Sequence, residues 1–159
     1  MPQSTTNFSQ IIRDSIILLL AEDNYFSELL KDNSDIVIYK KPLALQTIVK
    51  YPALSVYYAT DADYDDDKGF NIGITDRFYI DCASQSQKLE DAIDISKNIA
   101  DSVRITMYQF PNLELPEIVN KFYFKNIRPE RPIVDKSRLW TYISTLELIV
   151  EYEEGKFPD

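Results

Sequence analysis

Histidine is missing altogether from this sequence. With it go the commonest general base, the usual partner in a nucleophilic triad and the commonest zinc ligand, so an enzyme is not expected. Glycine is nearly as scarce, at three residues in 159, and neither GxGxxG nor GxxxxGKS/T occurs, which excludes the two common phosphate cradles. The single cysteine, Cys82, allows no intrachain disulfide and fits an intracellular setting. With no second thiol or histidine to activate it, it reads as a small buried residue. The longest apolar run, Ile16–Ala21, falls far short of the roughly 20 residues of a spanning helix. The N-terminus lacks a basic lead-in, so neither a membrane segment nor a signal peptide is expected. Positive charge is in deficit too: 17 basic against 26 acidic residues, a formal net charge of −9. Such a chain gains nothing from the counterion release that drives generic DNA binding.

What is present describes a globular protein. Apolar residues make up 45% and charged residues 27%, a profile that supports a packed core. The length suits one α+β domain spanning residues 1–159. Tyrosine and phenylalanine are abundant, 11 and 8 residues, and favour aromatic-rich strands.

Periodicity supplies the order of elements. Phe8, Ile11, Ile12, Ile16, Leu19 and Leu20 recur at helical spacing, with Ser4, Thr5, Thr6 or Asn7 able to cap the start. Asp23-Asn24 is a break before a second turn over Tyr25–Lys31. Asp35–Lys41 reads as a short strand, and the segment after Pro42 is ambiguous. Pro52 opens a strand with Leu54, Val56 and Tyr58 on one face. Phe70, Ile72, Ile74, Phe78 and Ile80 alternate with Asn71, Thr75, Arg77 and Asp81 in a second, which makes a hairpin with an acidic tip. Ser86–Phe110 is the strongest helix: Leu89, Ala92, Ile95 or Ser96, Ile99, Val103 and Met107 form its buried stripe, and Ser84 or Ser86 is its expected cap. "KFYFKNIRP" and the long "RLWTYISTLELIVEYEE" close the chain as strands. In the last, Trp140, Tyr142, Leu146, Leu148, Val150 and Tyr152 face one way and Thr141, Thr145, Glu147 and Glu151 the other. Trp140 is assigned to the core, with an interface anchor as the alternative. A long amphipathic helix and an N-terminal helix against a mixed or antiparallel sheet make a two-layer α+β sandwich.

The acidic tip holds five aspartates, Asp61, Asp63, Asp65, Asp66 and Asp67. A calcium loop needs Gly at its sixth position and Glu at its twelfth. From Asp61 those positions are Asp66 and Ile72, and from Asp63 they are Lys68 and Ile74, so neither register fits. DxD spacing occurs, without the α/β nucleotide-binding layer that normally accompanies it. Glu154-x-Lys156 follows a strand with the spacing of a metal-dependent nuclease but lies a few residues from the C-terminal end of the sequence and reads as a solvated tail. No catalytic residue, metal or cofactor is assigned. Against this acidic run, Lys121 to Arg138 holds six basic residues, Lys121, Lys125, Arg128, Arg131, Lys136 and Arg138, and only Glu130 and Asp135. A chain polarised in this way suits contact between unlike patches on successive copies, which generates a ring or stack. Solvated loops are the simpler reading.

With "IIRDSIILLL", then "PALSVY", an acidic hairpin, "FYIDC", "LEDAIDISKNIADSVRITM" and "RLWTYISTLELIVEYE", the chain resembles, over nearly its whole length, the tail-terminator (tail-completion) proteins of long-tailed bacteriophages. That resemblance implies a structural virion protein of the tail or neck, assembled in the host cytoplasm. Members form a hexameric ring on the head-proximal end of the tail tube. The implied partners are further copies of the chain, the tail tube protein, the head connector or neck protein, and the sheath where the tail contracts. DNA passes the bore without specific binding. On this reading the five aspartates face the lumen or rim, and the six basic residues contact neighbouring copies. Another neck, head-completion or tube-associated protein is the alternative.

Overall fold

The structure, a computed structural model, describes residues 7–31, 35–45, 49–59, 63–65, 73–129, 132–134 and 138–153. Helix α1 (Phe8–Glu22) starts at Asn7, whose side-chain oxygen accepts the Gln10 N–H at 3.0 Å. A cap of this kind is worth about 1 kcal/mol. Asp23 then serves two helices. Its N–H donates to the Leu19 carbonyl at 3.2 Å, closing α1, and its carboxylate accepts the Tyr25 N–H at 2.6 Å, opening α2 (Asn24–Leu30).

One mixed sheet follows the path β1-β2-β4-β7-β5, with β3 paired to β4 and β6 to β7. The strands are β1 (Val37–Tyr39), β2 (Ala53–Tyr58), β3 (Asp63–Asp65), β4 (Gly73–Ser86), β5 (Val119–Pro129), β6 (Ile133–Val134) and β7 (Trp140–Glu153). Among the described residues only β1 and β2 pair in parallel, and a parallel neighbour requires the chain to cross one face of the sheet. That crossing includes a 3₁₀ turn at Leu43–Leu45. Leu43 packs there with Ala53, Ala83 and Ile143 on the outer face, flanked by Tyr39, Val49 and Tyr51. At the centre, β4 and β7 pair without a register shift from Gly73↔Glu153 to Ser86↔Trp140.

The inner face carries the core. Ile74, Phe78, Ile80 and Cys82 of β4 and Leu146, Leu148, Val150 and Tyr152 of β7 are buried in one cluster with Leu54 and Val56. They face α1 through Ile12, Ile16 and Leu20, and α3 (Leu89–Met107) through Ile99, Ala100, Val103 and Met107. Each fully buried large side chain contributes about 1.5–3 kcal/mol. The architecture is the expected α+β arrangement of helices on one sheet.

Two local expectations give way. Ser84 and Ser86 do not cap α3, because β4 runs on through Ser86 and the capping position is Lys88, which makes no side-chain cap bond. Ser84 instead donates its hydroxyl to the Ala92 carbonyl. Ser96 donates to the Cys82 carbonyl at 2.6 Å and lies 2.9 Å from the Ser144 hydroxyl, so small hydroxyls tie helix to sheet at close approach. Trp140 is half-buried at the first residue of β7 and stands outside the core cluster, whereas Tyr142 beyond it is buried.

Candidate interaction surfaces

The alternation of β4 and β7 sends odd-numbered residues to the outer face, where their polarity predicts solvent. Several are buried nonetheless: Asp81 is 4% exposed, Thr145 6% and Glu147 7%. Asp81 organises this patch. One of its oxygens accepts the Thr145 hydroxyl at 2.8 Å and the Tyr57 hydroxyl at 3.1 Å, and the other accepts the Leu43 N–H at 3.2 Å. Burial raises its pKa above the ordinary 3.8, and the three donors pull in the opposite direction. Chemically the cluster is a clamp, since it holds the crossing segment onto the sheet.

A second buried aspartate, Asp76, lies on the inner face beneath the first turn of α1. It accepts from the Ser9 hydroxyl and from the Arg77 N–H at 2.9 Å. Burial raises its pKa as well, opposed by hydrogen bonds that include one from Tyr152. The sequence held a signal here, because Asp76 occupies the apolar register of β4 between Ile74 and Phe78. Asp81 held none, since it falls where alternation expects polarity. Cys82 is fully buried and its thiol is raised well above its ordinary pKa, chiefly by burial, which leaves it inert.

Of the acidic run, Asp63 and Asp65 are placed by the backbone of β3, while Asp61, Asp66 and Asp67 lie outside the described residues. Asp63 pairs with Thr75, Thr75 with Glu151, and Glu151 with Lys121. One rung thus puts the acidic β3 and the basic β5 on opposite edges of the same end of the sheet, about 14 Å apart at three strand spacings. Lys121 is exposed, with its Nζ 3.1 Å from Glu151 Oε2. Lys125 is exposed at the irregularity between Phe124 and Ile127. Arg128 stands opposite Thr145 in register, and Arg138 is exposed just ahead of β7 with φ 63°. Arg131 and Lys136 fall outside the described residues. The structure therefore strings Lys121, Lys125 and Arg128 along one strand. Among the described residues, β5 pairs only with β7.

Two apolar surfaces were not legible in the sequence. Tyr108, 54% exposed, stacks on Phe122 at 6.0 Å between ring centroids and meets Phe124 edge-on at 5.7 Å, beside β5. On the other side of the loop after α3 lies a groove of about 430 Å³ lined by Leu18, Leu19, Glu22, Asp23, Phe110 and Glu114. Glu114 in that lining follows Leu113, and both are left-handed, at φ 58° and 54°. Such backbone is unfavourable outside glycine by about 1 kcal/mol or more per residue. Two contacts hold it: the Leu113 side chain is fully buried, and the Ser15 hydroxyl donates to the Leu113 carbonyl at 2.7 Å. Among the described residues no group of three or more His, Cys, Asp or Glu is arranged to hold a metal ion, and no helix is long and apolar enough to cross a membrane.

No family model matches the chain, and no curated protein matches it significantly in sequence. Among solved structures, it is similar to a chain from the virion of a native gene transfer agent particle, with a TM-score of 0.51 and 13% identity. The match covers 87% of this chain and 93% of that one. At that identity the likeness is one of fold.

Proposed function

We propose that the protein is a structural component of a phage-type virion. Within that role, it forms a ring, hexameric by analogy, on the head-proximal end of the tail tube, where it ends tube growth and joins the tail to the head connector. The carrying observation is the fold shared with a virion chain across nearly the full length of both. The opposite charges on the β3 and β5 edges support it, because unlike edges on one subunit suit head-to-tail contacts that close into a ring. Lys121, Lys125, Arg128, Arg131, Lys136 and Arg138 contact neighbouring copies or the tube. Asp61, Asp63, Asp65, Asp66 and Asp67 face the lumen or rim, where like charge keeps DNA sliding rather than adhering. The role requires neither catalysis nor a cofactor.

Light scattering over a concentration series, with negative-stain images of the same sample and of tail tubes mixed with it, tests the reading. Annular particles, or tubes capped at one end, are expected. A protein that stays monomeric and leaves the tubes uncapped overturns the reading. Replacing the five aspartates by asparagine leaves assembly intact and impairs DNA passage. Loss of assembly instead makes that loop interfacial.

A further inference from the structure

We infer that the groove between α1 and the loop after α3 is the socket into which a second copy of the chain inserts the basic row of its β5. This rests on the ring reading above and names the contact that would build it. The groove has an apolar floor of Leu18, Leu19 and Phe110, with Glu22 and Asp23 toward the end of α1 and Glu114 on the loop. Leu18 is 54% exposed in the middle of a helix whose other large apolar residues are mostly covered. Among the described residues no lysine or arginine lines the groove.

Edge strand β5 presents the complementary pattern. Lys121, Tyr123 and Lys125 are all exposed, Tyr123 by 40%. An aromatic ring stands between two cations that span about 13 Å of extended chain. Tyrosine suits such a socket because its ring buries against apolar side chains while its hydroxyl keeps a polar contact. The flanking ammonium groups then meet Glu22 and Glu114, Lys121 leaving its solvent-screened pair with Glu151 to do so, which gives the contact its register and partner choice. The other sheet edge is a poorer partner for β5, since β1 is followed by Lys40 and Lys41, and like charges would oppose. Socket and row are different surfaces of one chain, so the contact is head-to-tail and each copy uses both.

A charge swap tests it. Lys121→Glu with Lys125→Glu makes the row acidic, and Glu22→Lys with Glu114→Lys makes the socket basic. All four positions are exposed and none caps a helix or lines the core, so each doubly substituted protein should keep its circular dichroism, with a small drop in melting temperature where Lys121→Glu sets a second carboxylate opposite Glu151. Leu18→Arg, also exposed, blocks the socket without touching β5. By light scattering, wild type is expected as a multimer, and each of the three variants as a monomer. An equimolar mixture of the two swapped proteins is expected to regain the multimer, because each then offers the other a complementary row and socket. Wild type that is monomeric at every concentration, variants that keep the wild-type mass, or a mixture that stays monomeric each overturns the inference. Variants that keep that mass but no longer enter virions assign the groove to a different protein and overturn it too. The ring reading fails by another observable. Copies that associate through the socket but never join tail tubes leave this contact standing and remove the terminator role.

Discussion

The central sheet buries residues on both of its faces, by different means. On the inner face, Phe78, Ile80, Leu146 and Leu148 are fully buried against α1 and α3, and what holds them is area removed from water. On the outer face, the crossing segment packs Leu43 on Ala53, Ala83 and Ile143 and is pinned by Asp81. The first kind of burial is tolerant of detail, because any well-fitting apolar residue satisfies it. The second is not, since a buried carboxylate is stable only while its hydrogen-bond partners stay in place.

Truncating one residue on each face breaks the symmetry of the comparison. Phe78→Ala should show the largest loss, about 3–5 kcal/mol in urea unfolding, because it removes a fully buried ring and leaves a cavity. Asp81→Ala should lose less, about 1–3 kcal/mol, mainly from the Leu43 N–H left without its acceptor. Its signature is local: amide exchange should accelerate around Leu43 and leave α3 unchanged. A variant in which α3 loosens as well would show that the two faces are one cooperative unit.

Asp81→Asn sharpens the contrast through pH. A carboxyl whose pKa is raised on folding contributes stability that is complete below its unfolded value and is lost as pH rises through its folded value. For Asp76 and Asp81 that window opens near 3.8 and closes above it. Wild type should therefore lose stability across the window. The substituted amide keeps an acceptor for the Leu43 N–H and removes one of the two contributions, so the pH slope should flatten. The variant's stability relative to wild type should be best toward neutral pH. A slope unchanged by Asp81→Asn would place the dependence on Asp76 alone. The smallest effect is expected for Lys121→Ala, within about 0.5 kcal/mol of zero, because its ion pair with Glu151 is solvent-screened. Its consequence belongs to assembly.

This difference between faces also explains what the sequence revealed. The break at Asp23, the stripe of α3 and the apolar register of β4 and β7 were legible because each is a local period or a local cap. The outer face was not, because Asp81, Thr145 and Glu147 obey the alternation of a solvated face, and only three-dimensional shading by neighbours buries them. The groove was equally hidden. Leu113 and Glu114 adopt left-handed backbone without glycine or asparagine to announce it, and a contact 98 residues away at Ser15 keeps them there. Charge polarity along the chain was visible, whereas its translation into opposite edges of one sheet depended on the register of β3, β4, β7 and β5.

The unshifted pairing of β4 with β7 has a mechanical meaning. Fourteen residues on each strand lie side by side, a ladder of about 45 Å. Tension along the strands loads every rung together, so the pair resists as a stiff rib. Tension across them would peel the rungs one at a time. A subunit bearing load along this axis would transmit force through its middle while its helices and loops stayed slack.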